Sequence, residues 1–155
     1  MRGMRSWTRI LTATLDLIAD SGFEGITIAA VAEKAHVSRQ TVYSIFGTRE
    51  DMVSQAFVEL TLGMMDQLRE RLSGMSTPAD YVVELIVAGR AIARGDPTLS
   101  TLLHDQTANP LFDDGMMARA LPVTREMLTP IADLEPSLAD HMDDIAELTT
   151  LLAVS

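Results

Sequence analysis

Apolar residues recur along this chain at three- and four-residue spacing, with no sustained apolar–polar alternation to compete, so the pattern predicts helices throughout. A first helix is expected from Ser6 or Trp7 to Asp20. Ser6 would cap it, and Ile10, Thr14, Leu17, Ile18 and Ser21 would form one stripe. Gly22 offers the left-handed residue that ends a helix. Thr27 is an N-cap for a short helix over residues 28–35, with Ile28, Val31, Ala32 and Ala35 facing inward. His36 stands where the chain needs a positive φ, which His tolerates better than most residues. Ser38 caps a third helix over residues 39–46, which Gly47 ends. Thr48-Arg49-Glu50-Asp51 resembles a capping box and opens a fourth helix reaching about Leu72. Residues 73–78 form a break. Further helices are expected over residues 79–93 and 98–104. Asn109-Pro110 opens the next, which Pro122 is expected to kink or divide. Pro130 and Pro136 bracket a turn, and a last helix runs from about Ser137 onward. It ends in Leu148, Leu151, Leu152 and Val154 with no cap after them, which reads as a helix cut in its middle.

Composition changes this picture little. The 155 residues are 47% hydrophobic and 22% charged, a globular balance, with 10 Met and few aromatics. The absence of Cys removes disulfides, Cys-based zinc sites and thiol catalysis. The opening residues lack the apolar stretch of a signal peptide, and the best apolar run, residues 81–93, is broken by Glu84 and Arg90 and too short to span a bilayer. A cytoplasmic protein without a membrane partner is expected. Net charge is −10, but residues 1–60 hold six basic and seven acidic side chains, so the acid lies mostly beyond them.

Candidate chemistry concentrates in residues 27–49. A short helix faced with small residues, a tight turn, and a second helix with polar residues at its start together meet the requirements of a helix-turn-helix. The second helix carries Arg39, Gln40, Thr41 and Ser44, and Arg and Gln suit guanine and adenine edges. Val37, Val42 and Ile45 would hold it from behind. Tyr43 admits two readings that are compatible: a half-buried ring against the first helix, and a hydroxyl on a phosphate. Arg2, Arg5 and Arg9 are either a solvated tail or a reach toward a neighbouring phosphate or the minor groove. Rival chemistry finds less support. His36, His104 and His141 lie far apart without a paired spacing, so no metal is implied. There is no Gly-rich phosphate loop and no nucleophile elbow, so neither an enzyme nor a cofactor is expected. A helical protein–protein interaction module whose helix-turn-helix no longer binds DNA is the alternative, and the acidic balance is its argument.

The segment from Gly22 to Met52 resembles the DNA-binding domain of TetR-family (tetracycline-repressor-like) regulators. It shows Thr27, then Ala35-His36-Val37-Ser38, then Thr41, Val42, Tyr43 and Phe46, then Thr48-Arg49-Glu50-Asp51-Met52. His36 replaces the usual turn Gly, Gln40 stands where Gly is frequent, and Ser44-Ile45 stand where His-Tyr is frequent. The resemblance implies an all-α fold. An N-terminal three-helix helix-turn-helix domain, residues 1–50, would bind double-stranded DNA, and a helical domain over residues 51–155 would bind a ligand and dimerise. It implies phosphate contacts from Thr27, Tyr43, Thr48 and Arg49 and base reading by Arg39, Gln40 and Ser44, with Ser38 and Thr41 in the same interface. It also implies a repressor released by a small, largely apolar effector, and a homodimer. Met64, Leu68, Leu102, Leu103, Met116 and Met127, with His104 as a polar member, are the candidate effector-binding residues, although Met and Leu at helical spacing also serve as plain core.

Overall fold

The computed structural model describes residues 2–104 and 116–154, all in helices and short connections. In order these are α1 (Arg2–Ser21), a 3-10 turn (Phe23–Gly25), α2 (Ile28–Ala35), α3 (Arg39–Phe46) and α4 (Arg49–Leu72). They continue with α5 (Pro78–Gly95), α6 (Pro97–His104), α7 (Met116–Leu128), α8 (Pro130–Leu134), a second 3-10 segment (Pro136–His141) and α9 (Met142–Val154). The start expected near Asn109-Pro110 lies outside the described residues.

Four local expectations are corrected. Ser6 does not cap α1 but lies within it, because no residue from Arg2 onward breaks the helix. Ser21 leaves the apolar stripe: it is exposed, and its hydroxyl donates to the Leu17 carbonyl at 3.0 Å. Pro122 does not divide α7. Pro122 and Ala118, whose carbonyl loses its helical amide, are both exposed, so water can take the freed bond. The last helix begins at Met142, because the residues after Pro136 form a 3-10 segment first, with Glu135 accepting from the Ser137 amide at 3.3 Å.

Two compact units emerge, and α4 is the helix by which the chain passes from one to the other. The first contains Met1–Leu62 together with α6. Its core is Ile10, Leu11, Ala13 and Ile18 of α1 with Ile26, Val31, Ala35, Val42, Met52 and Ala56, all buried. Helix α1 is deeply buried because α2, α3 and α6 all pack on it. Two hydroxyls of α6 tie it there: Thr98 donates to the Leu15 carbonyl at 3.2 Å and Thr101 to that of Ala19 at 3.1 Å. The 3-10 turn is held tightly, since a Cβ on Gly25 would lie 2.8 Å from that of Ser21. Phe23 of that turn meets Phe57 of α4 with ring centroids 5.4 Å apart.

The second unit contains Gly63–Gly95 and the helices from α7 onward. Met65, Leu68, Leu72, Tyr81, Leu85, Met127, Leu128, Ile131 and Ala146 form its apolar centre. The Tyr81 hydroxyl, buried there, donates to the Met127 carbonyl at 2.7 Å. Surface ion pairs join Arg69 to Glu126 at 2.7 Å, Arg71 to Glu84 at 2.9 Å, and Arg125 to Asp143. Such exposed pairs contribute little to stability, so the apolar centre carries most of it.

Candidate nucleic-acid interface

Each turn of the helix-turn-helix is held by a side chain or a backbone geometry identifiable in the chain. The Thr27 hydroxyl accepts the Ala30 amide at 3.0 Å and so caps α2. At the other end His36 sits in the left-handed region at φ 53. There the Val37 amide reaches the Ala32 carbonyl at 3.0 Å and the His36 amide reaches that of Glu33 at 3.1 Å, a Schellman closure. The Arg9 guanidinium donates to the His36 carbonyl at 3.3 Å and so ties α1 to the turn. Ser38 then caps α3, its hydroxyl accepting the Thr41 amide at 3.0 Å. Gly47, at φ 78, ends it.

Helix α3 is sharply two-sided. Val42 and Phe46 are buried and Ile45 is half-buried, with Phe46 stacked on Trp7 of α1 at 6.4 Å. Arg39, Gln40, Tyr43 and Ser44 are all exposed on the opposite side. The last three line one shallow depression. Tyr43 is 55% exposed, so a good part of its ring and hydroxyl is open to solvent. Thr41 is half-buried, and its hydroxyl lies 2.8 Å from that of Ser38, so one of the two donates to the other.

The hydroxyls differ in what they have left to offer. Thr27 accepts an amide but keeps its own O–H for an outside acceptor. Thr48 accepts the Asp51 amide at 3.0 Å and also donates to the Asp51 carboxylate at 2.7 Å, so both its capacities are engaged. Arg49 is half-buried, with its guanidinium on two backbone carbonyls of its own unit. The stacking of Trp7 and the inward turn of Arg49 carried no signal in the residue spacing. The first depends on how α1 packs on α3, and the second on how the start of α4 meets the turn before α2. Lys34 pairs with Asp20 at 3.4 Å at the surface.

The residues proposed to meet an effector divide between the units. Leu68 and Met127 are buried together in the second unit, with Met64 half-buried against them. Leu102, Leu103 and His104 belong to α6, whose backbone packs on α1 in the first unit. The side chains of these three and of Met116 lie outside the described residues. Among the described residues no group of three His, Asp or Glu side chains is gathered as a metal site would require, and no helix is long and apolar enough to cross a membrane.

Known proteins share this geometry in part. Residues 10–56 match the bacterial regulatory proteins of the tetR family, a stretch running from the core of α1 into α4. An uncharacterised HTH-type transcriptional regulator of Mycobacterium tuberculosis (strain CDC 1551 / Oshkosh) is 37% identical over 102 residues, 64% of this chain and 51% of that one. The fatty acid metabolism regulator protein of Bacillus subtilis (strain 168) is 22% identical over 94 residues, 61% of this chain and 48% of that one. The chain therefore spans about half the length of the curated relatives it matches. Among solved structures, the fatty acid degradation regulator FadR from Bacillus halodurans shares the fold with a TM-score of 0.61 at 15% identity, over 97% of this chain and 95% of that one. Residues 10–56 thus form a helix-turn-helix of the kind found in the tetR family of bacterial regulatory proteins.

Proposed function

We propose that the chain is a DNA-binding transcriptional repressor that reads a two-fold operator as a homodimer and is released by a small, largely apolar effector. The observation that carries the DNA reading is the two-sided α3. Arg39, Gln40, Tyr43 and Ser44 stand exposed together on a helix locked from behind by Val42 and Phe46. No packing requirement of this unit explains an outward side of that composition, whereas base edges and phosphates in a major groove do. Arg39, Gln40 and Ser44 are assigned to bases. Thr27 and Tyr43 are assigned to phosphates, with Ser38 and Thr41 shaping the start of the reading helix. The net charge of −10 does not oppose this, because the acid lies largely outside the first sixty residues and local charge governs the encounter.

The effector is assigned to the second unit, whose interior is rich in Met and Leu. Two of the proteins the chain resembles are named as regulators of fatty acid metabolism and degradation. An acyl chain is the kind of ligand that adaptable Met and Leu side chains enclose. Dimerisation is assigned to an exposed apolar surface on that unit. It comprises Leu148, Leu151 and Leu152 of α9 and Val83 and Val87 of α5, two helices joined by an Arg90 hydrogen bond to the Leu152 carbonyl at 3.3 Å. The test is a mobility-shift assay with fragments of the source genome, with and without acyl ligands. A retarded fragment released by an acyl ligand supports the whole reading. Retention of a fragment that no apolar ligand releases removes the effector assignment and leaves the DNA reading intact.

A further inference from the structure

Arg49 opens α4, where a cation facing outward would be well placed for a phosphate. Its guanidinium instead turns back onto the backbone that precedes α2. Nε donates to the Ile26 carbonyl at 2.6 Å and Nη2 to the Phe23 carbonyl at 2.9 Å, while Nη1 lies 3.6 Å from the Glu50 carboxylate. The side chain is 38% exposed. The Ile26 carbonyl has a specific need for this donor. It stands one residue before the cap, the Ala30 amide goes to the Thr27 hydroxyl, and the Ile26 side chain beside it is buried. The surroundings also disfavour an anion. Glu50 and Asp51 already occupy the first turn of α4, and Asp51 holds the Thr48 hydroxyl.

We propose that Arg49 is a positioning residue: its fork clamps Phe23 and Ile26, and so fixes the amino end of α2 and the outward Thr27, without itself neutralising a phosphate. This rests on the DNA-binding reading for its consequence, but the clamp stands on geometry alone. A guanidinium can hold two carbonyls in a fixed plane, and a Lys ammonium at the same place cannot reproduce that. Arg49 therefore acts on DNA through Thr27 and the start of α2, whereas Arg39, exposed at the start of α3, meets it directly.

The test uses the full chain with Arg49→Gln and Arg49→Lys, and two measurements. The first is affinity for a duplex that the unaltered chain enriches from a random pool, followed over a range of salt. The second is amide hydrogen exchange of the free protein. The clamp predicts that both variants lose about tenfold or more in affinity, with the slope of log affinity against log salt unchanged. It also predicts that the amides of Ile26, Ala30 and Val31 exchange about tenfold faster while those of the second unit keep their protection. A slope that falls by about one unit in Arg49→Gln, affinity restored by Arg49→Lys, or unaltered exchange at Ile26 and Ala30 overturns the proposal. Should Arg49→Gln fail to fold, Arg49→Lys carries both measurements. A chain that enriches no duplex refutes the DNA reading, and exchange then decides the clamp by the same criterion.

Discussion

At the scale of single residues, the cap positions follow from local chemistry. Thr27, Ser38 and Thr48 each accept the amide three residues ahead, and His36 takes the left-handed turn that its place between two helices demands. These were legible in the sequence because a cap needs only its own neighbours. The role of Arg49 was not, because its partners lie 23 and 26 residues away and depend on how the start of α4 meets the turn before α2. Two predictions belong here. His36→Gly removes the side chain from a left-handed position costing roughly 1–2 kcal/mol, against a glycine entropy penalty of about 0.5–1 kcal/mol. Thermal melting should therefore show a gain of up to about 1 kcal/mol in the stability of the first unit. A loss would mean that the His36 imidazole makes a contact worth more than the strain. Arg39→Ala and Gln40→Ala should each weaken binding to the preferred duplex by about 1–3 kcal/mol and relax selectivity at one base position. Titration against duplexes varied at single positions reads this directly, and uniform loss at every position would move both residues from bases to the backbone.

At the scale of elements, the periodic pattern located most helices, and the misplacements have physical causes. The start of α1 was misplaced because Ser6 can cap a helix but nothing before it forces a break. Pro122 was expected to kink or divide α7, and it does not divide the helix because its lost bond falls on a solvent-facing carbonyl. The docking of α6 on α1 rests on hydroxyls of Thr98 and Thr101 reaching carbonyls more than eighty residues earlier, a pairing that local pattern does not encode. Within the second unit, Tyr81 links α5 to α7 through its bond to the Met127 carbonyl, with the side chain only 5% exposed. Burial pushes the phenol above its ordinary value of 10.0, with nearby Arg69 opposing. The fold thus favours the neutral phenol. Its stabilisation is complete below pH ~10 and is lost as pH rises through the raised value. Denaturant titrations at pH 7 and above pH ~10 should show the second unit weakening in alkali. Tyr81→Phe should cost about 1 kcal/mol at pH 7 and blunt that alkaline loss. Equal alkaline losses in both proteins would assign the effect to another group.

At the scale of the whole molecule, the sequence indicated an all-helical regulator but not the grouping of its helices. The chain's contacts put α6 with the first unit, whereas the resemblance to a known family implied one domain over residues 51–155. The apolar spacing of Leu148 and Leu152 was visible in the sequence, whereas the exposure of Val83 and Val87 on α5, which packs on α9, was not. If that surface joins two copies, Leu148→Glu with Leu152→Glu should give monomers by light scattering, with α1 to α3 still folded and operator affinity largely lost. A double variant that stayed dimeric would move the interface elsewhere. Whether the exposed side of α3 reads DNA sequence is decided by selecting bound duplexes from a random pool with the unaltered chain. Enrichment of a two-fold motif whose half-sites lie about one helical turn apart is expected, with the motif becoming degenerate at one position of each half-site in Arg39→Ala and in Gln40→Ala. Recovery of duplexes without any common motif, or an enriched motif unchanged by both substitutions, would contradict that role of α3.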